Sequence, residues 1–232
     1  MYYSDFWILL PCIIFSYWAS SNVNSTFQRY SKQHSMRGLT GAQAAQRVLS
    51  ANGVTGVRIE RVAGNLTDHF DPKTNVIRLS DSVYGNTSTA AIGVACHEAG
   101  HAVQYATGYG PIQLRAAIIP VTNFGSKIAF PLIFLGMLLA GMGNWVYWLV
   151  DAGILCFSLS LVFQLVTLPV EFNASSRALR AIENCGILNA DELNGARKTL
   201  RAAAMTYVAA TAVALGQLLR LLYIFGGRRR RD

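Results

Sequence analysis

The chain has 232 residues, of which 52% are hydrophobic and 14% charged, with a formal net charge of +8 and a mean hydropathy of +0.31. That balance excludes an ordinary soluble domain, and it points to a protein that lives partly in lipid. The positive charge then fits attraction to anionic headgroups rather than to nucleic acid, and four cysteines without a C-x-x-C pair indicate neither a disulfide framework nor a cysteine-based zinc site.

In chain order, residues 6–19 (FWILLPCIIFSYWA) form the first apolar run. No Lys or Arg precedes it and Asp5 stands where a positive region would, so an uncleaved anchor is favoured over a signal peptide. Residues 40–52 read as a short helix with Thr40 as N-cap and Gly53 as stop. Residues 56–62 and 76–80 alternate apolar and polar, which suits two strands in a hairpin-like arrangement. Between them lies AGNLTDHFDPKTN, with turn signals at Asp-Pro and Thr-Asn. A small sheet of this kind can lie along a neighbouring helix and offer an edge strand to an extended peptide.

The next helix carries the chemistry. His97-Glu98-Ala99-Gly100-His101 sits in TAAIGVACHEAGHAVQYATG, with Asn86, Thr87 and Ser88 as N-cap side chains and Gly108 as stop. Two histidines four residues apart share one helix face and can grip a single zinc ion. Glu98 between them is placed to take the proton of an attacking water. The small residues Ala90, Ala91, Gly93, Ala95, Ala99, Gly100 and Ala102 keep the helix slim, so other elements can come close to the metal face.

Three further apolar runs follow, at 128–143, 145–170 and 203–225. Those at 145–170 and 203–225 reach the ~20 residues of a membrane span unaided, and those at 6–19 and 128–143 reach it with weakly polar flanks. Trp145, Tyr147 and Trp148 look like an interfacial belt beside the Gly-Met-Gly-Asn turn, with Asp151 near the headgroups. The expected architecture is a mostly α integral membrane protein with about four transmembrane helices and a small α+β domain. The divisions are an anchor at 1–26, the α+β domain at 27–115, two transmembrane helices at 116–170, a third-ligand helix and loop at 171–202, and a C-terminal apolar helix with a basic tail at 203–232.

A hydrolytic zinc needs three protein ligands and one open position. The candidates for the third are His34, His69, Asp71, Glu171, Glu183 and Glu192. Glu171 is the best, because a carboxylate at the end of a membrane helix is costly unless paired or metal-bound. His69 is the rival, either as a ligand or as a donor to a substrate carbonyl or oxyanion.

LSDSVYGNTSTAAIGVACHEAGHAVQYATGYGPIQLRAAIIPV, then LPVEFNASSRAL, then an Ala-rich span ending in arginines, resembles the bacterial YugP-type neutral zinc metallopeptidases over nearly the whole chain. It is also similar to the HtpX and CAAX-prenyl protease group, integral-membrane gluzincins that pair His-Glu-x-x-His with a later Glu-x-x-x-Asp. The resemblance implies a gluzincin-like domain, one zinc per chain on His97, His101 and Glu171, and Glu98 as general base. Ser175 stands where the broader group has its aspartate. An outer carboxylate on a ligand histidine is therefore missing, or replaced by Ser175 or Asn173.

Four spans put both termini on one side and both polar segments on the other. Arg29, Lys32, Arg37, Arg115, Lys127, Arg177, Arg180 and Arg201 flank spans on the catalytic side, which favours a cytoplasmic active site. The arginines at 228–231 and Arg220 inside the last run argue the other way, unless that run is kinked or re-entrant. The leading function is a zinc endopeptidase acting on peptides or membrane-protein segments near the headgroups, in a bacterial cell membrane. A catalytically silent binding or chaperone-like protein would not need Glu98, and a zinc sensor or carrier would want more intramembrane ligands than Asp151.

Overall fold

The computed structural model describes residues 6–143 and 146–226. Its order is α1 (Phe6–Tyr30), α2 (Gly41–Ala51), β1 (Arg58–Val62), β2 (His69–Asp71), β3 (Val76–Ser80), α3 (Thr89–Ala106), α4 (Gly110–Leu138), α5 (Tyr147–Asn184) and α6 (Ala190–Gly226). The chain forms two compact units. One gathers residues 1–18, 114–168 and 207–232, and the other residues 19–113 and 169–206.

Within the first unit, α1, α4, α5 and α6 are the described helices long and apolar enough to cross a membrane, with mean hydropathies of 1.4, 1.5, 2.1 and 1.8. Their apolar side chains are largely uncovered by protein: Trp7, Phe124, Leu138 and Leu155 are each more than two-thirds exposed. In water such surface would drive aggregation, whereas in a bilayer it is the solvated face. A small interior of Ile133, Val150, Ile154 and Leu221 ties the helices together. Gly136 and Gly153 make the α4–α5 approach possible. A Cβ on Gly153 would lie 2.7 Å from the Ala129 carbonyl oxygen, and one on Gly136 2.6 Å from Val150 Cγ2. Trp145 and the arginines at 228–231 lie outside the described residues; Trp148 is exposed in the first turn of α5.

The second unit is built on α2, α3, the sheet and the polar ends of α5 and α6. Thr40 caps α2 through a capping box with Gln43, and Gly53 follows its C-cap at a φ of 67°. Ala44, Ala45, Val48 and Leu49 form one buried stripe of α2 and join Ile77, Leu79, Ile92, Ile182 and Ile187 in the main core. The sheet order is β1-β3-β2. Here the hairpin-like reading of 56–62 and 76–80 is corrected: β1 pairs with β3 in parallel, Arg58 opposite Val76. The hairpin partner of β3 is β2, antiparallel with Phe70 opposite Ile77. A parallel pair needs a crossover connection, and the turn-rich segment supplies it while forming β2 on the way.

The 171–202 segment, expected as a third-ligand helix and loop, consists of the end of α5 through Asn184, a short connection, and the start of α6 at Ala190. That start is fixed by a reciprocal cap, Asn189 Oδ1 accepting from Glu192 N–H and Glu192 Oε2 from Asn189 N–H. Helix α5 continues through Pro169, although that residue has no N–H for the Leu165 carbonyl. The last apolar run is a single unbroken part of α6, with no re-entrant break among the described residues.

Candidate metal centre

Ser88 is the N-cap of α3, its side chain accepting from Ala91 N–H, and Gly108 follows the C-cap at a φ of 63°. The 3.6-residue period then brings His97 and His101 together edge to face, with ring centroids 4.7 Å apart. The slim face does what its residues imply. A Cβ on Gly100 would sit 2.7 Å from the Ala174 carbonyl oxygen of α5, and one on Gly93 3.3 Å from Ala196 Cα of α6. Backbone-to-backbone approach at Gly100 brings α5 close enough for Glu171 to reach the histidine face.

Glu171 Oε2 lies 3.2 Å from His97 Nε2 and 3.5 Å from His101 Nε2. The three candidate ligand atoms fall within 4.8 Å of one another. Glu171 is 2% exposed, and Glu98 and His101 are 8% exposed. A buried carboxylate facing two imidazole nitrogens is repulsive if those nitrogens carry lone pairs, so the contact calls for a proton on the imidazoles or a metal cation between them. Two nitrogens and one carboxylate oxygen, with the fourth side left open, is the donor set of a catalytic zinc. Burial disfavours a charged His101, but hydrogen bonding to Glu171 and the charges of Glu98 and Glu171 outweigh it and raise the imidazole above its ordinary value. The cluster favours positive charge.

The far ring nitrogens are also engaged. Ser175 Oγ is 3.1 Å from His97 Nδ1, and Gln104 Oε1 is 3.0 Å from His101 Nδ1. Of the two residues expected to replace the missing carboxylate, Ser175 touches a candidate ligand directly. Asn173 is one step removed, accepting from Gln104 Nε2 at 3.0 Å. Gln104 was missed in sequence. Its signal was available: a polar side chain three residues after His101 falls on the same helix face.

The other candidates are placed elsewhere. His69 is exposed in β2, with Nδ1 2.9 Å from the Thr67 carbonyl oxygen. His34 Nδ1 meets Thr87 Oγ1 at 3.0 Å. Asp71 accepts from Thr74 Oγ1, Arg78 Nη1 and Lys73 N–H, which hold its carboxyl down at about 2. Glu192 caps α6 and also accepts from Met36 N–H at 2.7 Å. Glu183 is exposed. Asp68 was not singled out by sequence. Burial raises its carboxyl despite hydrogen bonds from Ser80 N–H and Oγ, and the nearby charge of Glu98 adds to the rise.

Replacing Gly100 by Ala is expected to destabilise the protein despite a helix-propensity gain of about 1 kcal/mol. The new methyl meets backbone rather than a flexible side-chain end, and overpacking of that kind costs roughly 1–3 kcal/mol. Zinc affinity should fall with it, because α5 carries Glu171. Gly93→Ala, with its looser contact, should do less. Thermal unfolding and zinc titration of the two variants side by side check the ranking; a Gly100→Ala protein as stable and as zinc-competent as the parent would refute the close-approach argument.

A family profile described as "Putative neutral zinc metallopeptidase" matches residues 5–226. The Bacillus subtilis (strain 168) protein named "Putative membrane protease YugP" is 50% identical over 210 residues, which span 90% of this chain and 91% of that protein. No solved structure gives a significant match.

Proposed function

Because the chain belongs to the "Putative neutral zinc metallopeptidase" family, we propose that it hydrolyses peptide bonds at a membrane surface, using one zinc held in gluzincin fashion by His97, His101 and Glu171. The observation that carries this reading is the convergence of these three side chains from α3 and α5 on one buried point, with Glu98 on the helix turn between the histidines. Zinc bound there supplies a Lewis acid, lowering the pKa of water and polarising the scissile carbonyl. Glu98 accepts the proton of the attacking water on its carboxylate and returns it to the leaving amine nitrogen. The burial of Glu98 strengthens both transfers by excluding bulk water from its side chain.

The substrate is a peptide or a membrane-protein segment in extended form. β2 is an edge strand of the sheet and packs on α3 through Phe70 against Tyr105, with ring centroids 5.7 Å apart. Its outer edge offers backbone N–H and C=O groups for strand addition. Purified protein in detergent or nanodiscs should bind one equivalent of zinc and cleave a peptide library, and a chelator should abolish cleavage. Zinc-loaded protein that cleaves nothing would argue against the protease reading.

The active site faces the cytoplasm. Support comes from the excess of Lys and Arg flanking the spans on the catalytic side, Arg29, Lys32, Arg177, Arg180 and Arg201 among them. Lys73 is exposed beside β2. A cysteine placed there should stay unlabelled by an impermeant thiol reagent in intact cells and react once the membrane is opened, measured against the parent protein with its four native cysteines. Labelling from outside intact cells would reverse the assignment.

A further inference from the structure

Gln104 is a fully buried polar side chain on α3, one turn beyond His101, and the proposed hydrolysis leaves it without a role. Its amide makes three contacts. Oε1 faces His101 Nδ1 at 3.0 Å, and Nε2 donates to the Val170 carbonyl oxygen at 2.8 Å and to Asn173 Oδ1 at 3.0 Å. Asn173 Oδ1 also accepts from Arg177 Nε at 2.8 Å, and the Arg177 guanidinium lies 5.7 Å from the Tyr109 ring centroid.

These contacts have a fixed direction. A backbone carbonyl only accepts, and an arginine only donates. Arg177 therefore turns the oxygen of Asn173 toward itself and toward Gln104. Val170 and Asn173 together demand the amide nitrogen of Gln104. The opposite amide orientation would set Gln104 Oε1 against two acceptors with no proton among them, at a buried site where such a loss costs about 1–3 kcal/mol. Only the oxygen of Gln104 is left for His101, so Nδ1 must carry a proton and donate it. In the neutral ring the Nε2 lone pair is then the one presented beside Glu171.

His97 has no such constraint from its own neighbour. Ser175 Oγ is a hydroxyl, which donates or accepts equally well and does not by itself choose a tautomer. The two histidines are thus held by different means: one by an adaptable hydroxyl, the other by an amide whose polarity is set from outside.

We propose that Gln104 is a positioning residue that holds His101 in its Nδ1–H form, and that Asn173 and Arg177 set the direction of the Gln104 amide. The consequence for metal affinity rests on His101 being a zinc ligand; the proton assignment does not. Loss of such an outer partner typically costs about 10–100-fold in metal affinity.

Gln104→Met conserves the length and bulk of the side chain and removes both its donor and its acceptor. It should weaken zinc binding by about 10–100-fold in competition with a chromophoric chelator. Asn173→Asp keeps the oxygen that serves Arg177 and Gln104, and should bind zinc nearly as the parent does. Asn173→Leu loses that oxygen but leaves the Val170 carbonyl in place, so it should fall between the two. If Gln104 merely filled space, Gln104→Met would bind zinc like the parent, and that result would overturn the proposal.

The second readout does not need zinc. With four histidines in the chain, selective 15N labelling of the full-length protein in nanodiscs gives few ring signals, assignable by single replacements. The His101 Nδ1–H should appear as a hydrogen-bonded, slowly exchanging proton with or without metal, and should lose that protection in Gln104→Met. A bare His101 Nδ1 in the parent protein would overturn the proposal even if zinc binds normally. A protected Nδ1–H in a chain that binds no zinc would support it while removing the protease reading.

Discussion

Glu98→Gln is expected to leave zinc binding and folding intact and to slow peptide hydrolysis by at least ~100-fold. The amide matches the carboxylate in shape, so the packing around α3 is preserved. It cannot accept the proton of the attacking water, so the reaction loses its base while keeping its metal. Asp68 lies close enough to feel the charge of Glu98, but it is not a substitute. Ser80 N–H and Oγ occupy Asp68 Oδ1, and Ser80 Oγ also reaches Oδ2 at 2.9 Å. The comparison needs zinc content and turnover measured on the same preparation. Turnover comparable to the parent from a zinc-loaded Glu98→Gln protein would rule out the mechanism with Glu98 as base.

The parts of this protein legible in sequence are those written in local periodicity and capping. The α2 and α3 boundaries follow from Thr40, Gly53, Ser88 and Gly108, whose backbone roles do not depend on the rest of the chain. The small residues of α3 also announced close packing, and Gly100 against Ala174 is where it occurs. What was not legible is non-local. The parallel β1–β3 pair cannot be told from a hairpin by alternation, because both strands show the same period of two and only the crossover length differs. That α5 and α6 are each continuous from apolar run into polar sequence is not legible, because an apolar run marks where lipid ends, not where a helix ends. Gln104 was passed over for a related reason. A buried amide has no chemistry of its own, and its importance appears only when Val170, Asn173 and Arg177 are seen to meet it.

Glu171→Ala is expected to strip zinc from the protein, whereas His69→Ala should leave zinc stoichiometry and affinity unchanged. Two histidines without a carboxylate make an incomplete site for a hydrolytic zinc. The affinity loss should exceed the roughly 10–100-fold cost of losing an outer partner, because an atom beside the metal itself is removed. The change should not act by unfolding the joint between α3 and α5. That joint is set by backbone packing at Gly100 and Ala174 and by the Gln104 bond to the Val170 carbonyl, neither of which involves the Glu171 side chain. Without zinc, removing Glu171 leaves His97 and His101 without their buried carboxylate partner, so thermal stability of the metal-free protein should fall by an amount that unfolding measured alongside zinc content reads directly. His69, exposed in β2 and bonded to the Thr67 carbonyl, has no comparable link to the histidine face. Elemental analysis and zinc competition on both variants, with unfolding followed in parallel, separate ligand loss from misfolding. Zinc retained by Glu171→Ala and lost by His69→Ala would exchange the two assignments.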